Sequence, residues 1–448
     1  MIRPLLGAIL LFAFAARVCW LDQLPPGFAR DEAYYAVDSA RVLEVGPRVF
    51  YPGNGGREGL FMALAAPFVA IIGRDPLAVR LPAAFAGVIF VAALFAFGRR
   101  LFRAQPAGEW VALTAAALAA GSIWLIVENR IGWRLNLFAP LVTVAGYWFW
   151  RAYETRRTSD WLAAGAAFGV AQYGYSAVRV LPVVLPGFML FDGVGSPRQL
   201  WARRREWIAF AIAAGLIAVP LVLYAVTNPG SFFERQAALA GGDGRLANED
   251  RYVGRLLGTL RMFFLEGAAP AWQSFPGQPV FNPALGALFL IGVALALWRI
   301  RRPAYRFILL WLAVFTLAAA IPRDSTPHFI HGAGILPVVF LFPAVGLVET
   351  ARWYGRLGRS GLPAGRLAAT LAGLVVIANL AWAWRLYFDD YRALPGLWDA
   401  FRAANTRGCC QRDERSARAA AIVASPTARD ISPAGATRRS TFSTRATA

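Results

Sequence analysis

Two acids stand side by side where a proline-rich stretch gives way to a helical pattern: Asp31 and Glu32, in Pro25-Pro26-Gly27-Phe28-Ala29-Arg30-Asp31-Glu32-Ala33-Tyr34-Tyr35. From Asp31 onward Ala33, Ala36, Val37, Ala40 and Leu43 recur at helical spacing until Gly46. Asp31 falls where an N-cap belongs and Glu32 in the first turn, where the helix dipole favours negative charge. Capping alone would account for one or both acids. The other reading is chemical: a carboxylate opening an amphipathic helix at a membrane surface can face a cleft that holds a lipid headgroup, and can take a proton there. Asp31 and Glu32 are therefore the candidate catalytic residues, with Tyr34 one turn on as a substrate contact.

A second group lies in Asn54-Gly55-Gly56-Arg57-Glu58-Gly59-Leu60-Phe61. Arg57 and Glu58 could form only a weak interfacial ion pair, or they could point into the same cleft as Asp31, with glycines letting backbone approach a ligand closely. Three further arginines sit beside aromatic residues: Arg130 and Arg134 in Glu128-Asn129-Arg130-Ile131-Gly132-Trp133-Arg134, and Arg179 in Tyr173-Gly174-Tyr175-Ser176-Ala177-Val178-Arg179. Each could snorkel. Guanidinium forks also match phosphate oxygens, so these three arginines, with Tyr175, are candidate contacts to an anionic headgroup. The two histidines, His328 and His331, are spaced to share a helical face near Asp324. Without a clear third ligand they suit substrate better than metal. A divalent ion near Asp31 and Glu58 is an option that the chemistry does not require, and no other cofactor is expected.

The elements that must position these residues follow from composition. The 448 residues are 58% apolar and only 16% charged, with a net charge of +20. A soluble domain carries about 45–50% apolar and about 25% charged residues, so the expected class is an all-α polytopic membrane protein. All 46 basic residues are arginine, which excludes lysine Schiff-base chemistry and a Walker-type phosphate loop. The arginines fall between apolar runs rather than along one face, which argues against nucleic acid. Cys19, Cys409 and Cys410 make neither a disulfide framework nor a CxxC metal spacing. The N-terminal apolar stretch lacks a good small-residue cleavage pattern and is expected to stay as a first span.

Eleven runs have the length and apolarity of spans, at about 4–21, 81–98, 108–126, 137–150, 161–176, 180–192, 207–226, 281–298, 307–321, 332–348 and 367–386. Short loops with three or four arginines alternate with loops holding one or two, and the rich set should be cytoplasmic. That parity works if the run 59–73 is an interfacial or re-entrant helix, which places 22–80 outside as a first periplasmic loop and 227–280 as a second long outer loop. Residues 1–390 then form one transmembrane domain and 391–408 a short outer segment. The composition of 409–448 is that of an unfolded tail.

In this order the motifs resemble the GT-C superfamily of membrane glycosyltransferases, within it the protein O-mannosyltransferase and aminoarabinose transferase (ArnT-like) branch. The stretches that carry the resemblance are Asp31-Glu32 after the first span, Arg57-Glu58-Gly59-Leu60-Phe61, Arg80-Leu81-Pro82-Ala83-Ala84, Gly98-Arg99-Arg100-Leu101-Phe102 and the Arg130–Arg134 loop. It is good over about residues 1–190 and looser to about 390. The resemblance implies a bundle of about 11 spans and a polyprenyl-phosphate-linked sugar donor bound at the outer leaflet. It further implies inversion at the anomeric carbon and an acceptor hydroxyl or amine-bearing glycan, lipid or protein. Asp31 matches the family's general base and Glu58 a carboxylate near the headgroup or acceptor, while Arg130, Arg134 and Arg179 would neutralise the departing phosphate. Where relatives have Lys-Pro or Pro-Pro after the carboxylate, this chain has Gly59-Leu60, and Arg57 would stand in for the missing lysine. The competing classes are a lipid-linked-sugar polymerase or ligase, which also needs outer arginines, and a flippase. A flippase predicts ionisable residues near mid-span, which these runs nearly lack.

Overall fold

The computed structural model describes residues 2–193, 201–241, 252–323, 326–356 and 364–401, and these are helical apart from one two-stranded hairpin. The expected tail 409–448, residues 402–408 of the segment 391–408, part of the second outer loop and Asp324 lie outside the described residues. Each of the eleven apolar runs falls on helix. By length and apolarity alone, four helices qualify as crossing segments: Pro76–Leu101, Arg204–Thr227, Phe329–Tyr354 and Thr370–Tyr391. A bent pair makes a fifth.

That pair departs from the straight span expected over 108–126. The chain bends by 59° between α-helices Gly108–Ala120 and Ile123–Asn129. Gly121 sits at the break, where a Cβ would lie 2.6 Å from the Asn379 amide nitrogen, and that amide donates to the Gly121 carbonyl at 3.3 Å. The bend delivers the loop carrying Arg130, Gly132 and Arg134 to one end of the bundle.

The segment 22–80, expected as an outer loop, builds three elements at that end. Helix α1 (Ile2–Val18) leads to α2 (Arg30–Val45), and a hairpin of β1 (Phe50–Tyr51) and β2 (Arg57–Glu58) leads to α3 (Leu60–Ile72). Helix α2 ends at Gly46, whose φ of +82° suits glycine. Helix α3 has 13 residues, a rise of about 20 Å against a hydrocarbon core of about 30 Å. It packs on α2 and on α4 (Pro76–Leu101). In the hairpin Phe50 pairs with Glu58 and Tyr51 with Arg57, across a turn in which Asn54, Gly55 and Gly56 have φ of +53°, +72° and +78°. Gly59 is required where the strands close up, because a Cβ there would run into the Arg48 carbonyl.

Candidate active site

Glu32 and Arg80 close the rear of the site. Arg80 Nε and Nη2 donate to the two Glu32 oxygens at 2.9 Å each, and both side chains are fully buried. Arg80 also donates to the carbonyls of Pro25 and Gly27 at 2.8 Å. Glu32 accepts from the Gly132 N–H at 2.7 Å and from the Ala29 N–H at 3.0 Å. This last bond is half of a capping box, and it moves the helix start forward: the cap is Ala29, the helix begins at Arg30, and Asp31 is not the N-cap. With both oxygens saturated, Glu32 has no face left for a substrate. Its expected catalytic part becomes a positioning one.

Because Glu32 does the capping, Asp31 is released from it. The Asp31 side chain is exposed, accepts from Asn54 Nδ2 at 2.9 Å, and lines a cavity of about 260 Å³ with Arg30, Ile131, Trp133, Trp272 and Phe401. The turn of the hairpin therefore orients the carboxylate, and two tryptophans wall the space it faces, their rings 6.0 Å apart edge to face. His328 stands behind Trp272 at 6.2 Å and stacks on His331 at 4.0 Å. The histidines thus back the aromatic wall.

Beside this cavity Glu58, 1% exposed, lies between Arg134 and Arg179 at 3.2 Å from each. Arg134 donates to the Gly56 carbonyl at 2.7 Å and lies over the buried Tyr175 ring at 5.3 Å. Arg179 lies over Phe232 at 4.1 Å. Burial pulls its pKa below the usual arginine value, with Glu58 opposing and Arg134 adding to the effect. A third guanidinium, unanticipated from the sequence, joins them: Arg235, in the helix Pro229–Gly241. Its pKa is raised above the ordinary value, first by Tyr175 and then, against burial, by Tyr35, Asp31 and Glu58. Arg235 therefore shares the electrostatic surroundings of both candidate carboxylates. Its Nε and that of Arg134 are buried without a hydrogen-bond partner among the described residues. Two guanidiniums on one carboxylate, with Arg235 within their electrostatic reach, leave a surplus of positive charge that an anion would offset. The sequence did hold a signal for Arg235, since it follows Phe232-Phe233 as Arg179 follows Tyr173 and Tyr175. It lies in a long loop, where arginine counts carry no positional information.

Two other arginines differ from expectation. Arg130 is fully buried and donates to the carbonyls of Leu24, Ala16 and Cys19 at 2.7–3.2 Å, beneath the Tyr387 ring at 4.9 Å. Its donors are used by backbone, so it is a staple and not a phosphate contact. Arg57 pairs with Asp38 at 2.7 Å and donates to the Gly53 carbonyl at 3.0 Å. It braces the hairpin against α2 instead of replacing a lysine, and Tyr34 covers it, the guanidinium 5.4 Å from the ring. The optional divalent ion does not fit either. Glu58 is already neutralised by two arginines, and no group of three metal-binding side chains occurs among the described residues.

The profile of the dolichyl-phosphate-mannose-protein mannosyltransferase family matches residues 60–224. No curated protein matches the chain significantly. Among solved structures, ArnT from Cupriavidus metallidurans bound to undecaprenyl phosphate is similar at 16% identity and TM-score 0.54, covering 90% of this chain and 76% of that one. The archaeal oligosaccharyltransferase AglB from Archaeoglobus fulgidus, in complex with an inhibitory peptide and a dolichol-phosphate, is similar at 15% identity and TM-score 0.56, covering 87% of this chain. The chain spans about half of AglB's length, 55%. The fold is that of the GT-C membrane glycosyltransferases.

Proposed function

We propose that this chain, with its GT-C fold, transfers a sugar from a polyprenyl-phosphate donor to an acceptor hydroxyl or amine at the extracytoplasmic face of the plasma membrane. Asp31 takes the proton from the acceptor group. The acceptor's electron pair attacks the anomeric carbon from the side opposite the phosphate, the bond from that carbon to the phosphate oxygen breaks, and its electrons leave with polyprenyl phosphate. Attack from the opposite side inverts the configuration. The phosphate gains negative charge as it departs, and Arg134, Arg179 and Arg235 are placed to receive it in surroundings where charge is poorly screened. Glu58 holds two of these guanidiniums in register. Glu32 and Arg80 fix the helix that presents Asp31, with the eleven apolar helices as spans and residues 22–80 and 227–280 outside.

The observation that carries this reading is the pairing of an open, oriented carboxylate with a neighbouring excess of buried guanidinium. A flippase or a polymerase needs no such carboxylate. The test is transfer of labelled sugar from polyprenyl-phosphate donors by the purified full chain, with donor accumulation in cells lacking the gene identifying the sugar. Full transfer by a folded Asp31→Asn variant would overturn the reading. Cysteine labelling at Asn54 checks the sidedness: it should proceed in intact cells, and labelling only after permeabilisation would reverse the map.

A further inference from the structure

A second and larger cavity, about 570 Å³, opens between the outer ends of the first and last long apolar helices. The rings of Trp20, Trp384 and Phe388 form its apolar wall, with Trp384 and Phe388 4.3 Å apart and Trp20 5.4 Å from Phe388. Asp22, Asp389 and Arg392 also line it, and none of the three forms an ion pair among the described residues. Two features of the backbone aim these side chains. Leu386–Tyr391 is a π-helical turn, a local widening found often at functional sites, and Trp20 has a left-handed φ of +53°, uncommon for a tryptophan. Arg130 fastens both, bonding the carbonyl next to Trp20 and lying under Tyr387 and Phe388.

The cavity adjoins the candidate active site. Pro26 and Gly27 line it while Ala29 and Asp31 line the smaller one, and Leu397 and Trp398 line it while Ala400 and Phe401 line the smaller one. One turn of helix, Leu397–Ala400, and three residues of loop form the partition. Its charge is opposite in kind to that around Glu58: two carboxylates against one guanidinium repel a phosphate. Aromatic faces with a few acceptors and donors suit a ring that carries C–H faces, hydroxyls and sometimes an ammonium group. An interfacial aromatic belt against lipid would need neither the cavity nor the charges.

We propose that this cavity seats a neutral or amine-bearing sugar unit of the acceptor, one unit back from the group that reaches Asp31 across the Leu397–Ala400 turn. The proposal rests on the transferase reading for what the sugar does there, but its binding is separable. Saturation-transfer NMR on the purified full chain in detergent would use maltotriose, a glucosamine disaccharide and glucose 6-phosphate as probes. Signal is expected from the first two and not from the third. Trp384→Phe and Asp389→Asn should each weaken it by about fivefold. In the transfer reaction the same two variants should raise the acceptor KM with the donor KM unmoved. Binding unaffected by both variants, preference for glucose 6-phosphate, or loss of the signal when phospholipid is restored in nanodiscs would each overturn the proposal. Saccharide binding that depends on Trp384 in a chain whose Asp31→Asn variant still transfers sugar would instead overturn the general-base reading and keep this one.

Discussion

The molecule holds two groups of arginines at the same end of the bundle, and they have opposite uses. Around Glu32, the guanidiniums of Arg80 and Arg130 are closed off, their donors taken by a carboxylate and by the carbonyls of Ala16, Cys19, Leu24, Pro25 and Gly27. Around Glu58, Arg134 and Arg235 keep buried Nε atoms unbonded, and Arg179 is partly exposed. Residue type does not separate the groups. What separates them is the supply of backbone carbonyls: the end of α1 and the loop before α2 offer several to Arg80 and Arg130, while the hairpin offers Arg134 only that of Gly56. A buried charge that is saturated holds a fold together, and one left short of partners costs stability unless a ligand supplies them.

The sharpest way to break this comparison is to exchange the fates of the two adjacent acids. Asp31→Asn should lower transfer by about 10²–10⁴-fold, the usual worth of a general base, with no change in thermal unfolding of the detergent-solubilised chain. Glu32→Gln should do the reverse, because it leaves Arg80 buried without its counter-charge, a loss of about 3–5 kcal/mol. It is read as a fall in folded yield and unfolding temperature, while whatever folds keeps much of its turnover. Equal behaviour of the two variants in both assays would dissolve the distinction between the regions.

A milder test compares arginines. Arg179→Gln and Arg235→Gln should each raise the donor KM by about tenfold and lower kcat as well, since the charge they meet grows in the transition state. Unfolding should be little changed. Arg130→Gln should leave the donor KM alone and lower stability by removing bonds to three carbonyls. If Arg130→Gln mimics Arg179→Gln in donor kinetics, the staple assignment is wrong.

These contrasts also mark where one-dimensional reading stops. The apolar runs, the end of α2 at Gly46 and the short helix before the second span were legible, because period and length are local properties. Period and charge alone did not choose between Asp31 and Glu32, and only the family resemblance pointed to Asp31. Both acids suit a first turn equally, and which of them is tied up depends on Arg80, 48 positions away. Arg130 and Arg134 share one loop, yet only the first meets inward carbonyls. Gly121 reads as one more small residue in an apolar run, and its break depends on Asn379, 258 positions on.

The smallest expected effect concerns Tyr35, which is buried near Asp31 and edge-on to Phe61 at 5.4 Å. Burial raises its phenol pKa, with Asp31 adding to the shift and Arg134, Arg57 and Arg235 opposing it. The folded chain therefore holds this proton more tightly than the unfolded one. Its contribution to stability is complete below the unfolded value of about 10 and is lost as pH rises through the folded value. At neutral pH the ring stays uncharged and does not compete with a donor phosphate for the arginines. Tyr35→Phe should accordingly transfer sugar within about twofold of the parent at pH 7. Above pH 10 the parent should lose stability faster than the variant, which has no proton to give up. Parallel pH–stability curves would show that the phenol is not held buried beside Asp31 as the electrostatics require. A large loss of transfer at pH 7 would move Tyr35 from the wall of the open region into its chemistry.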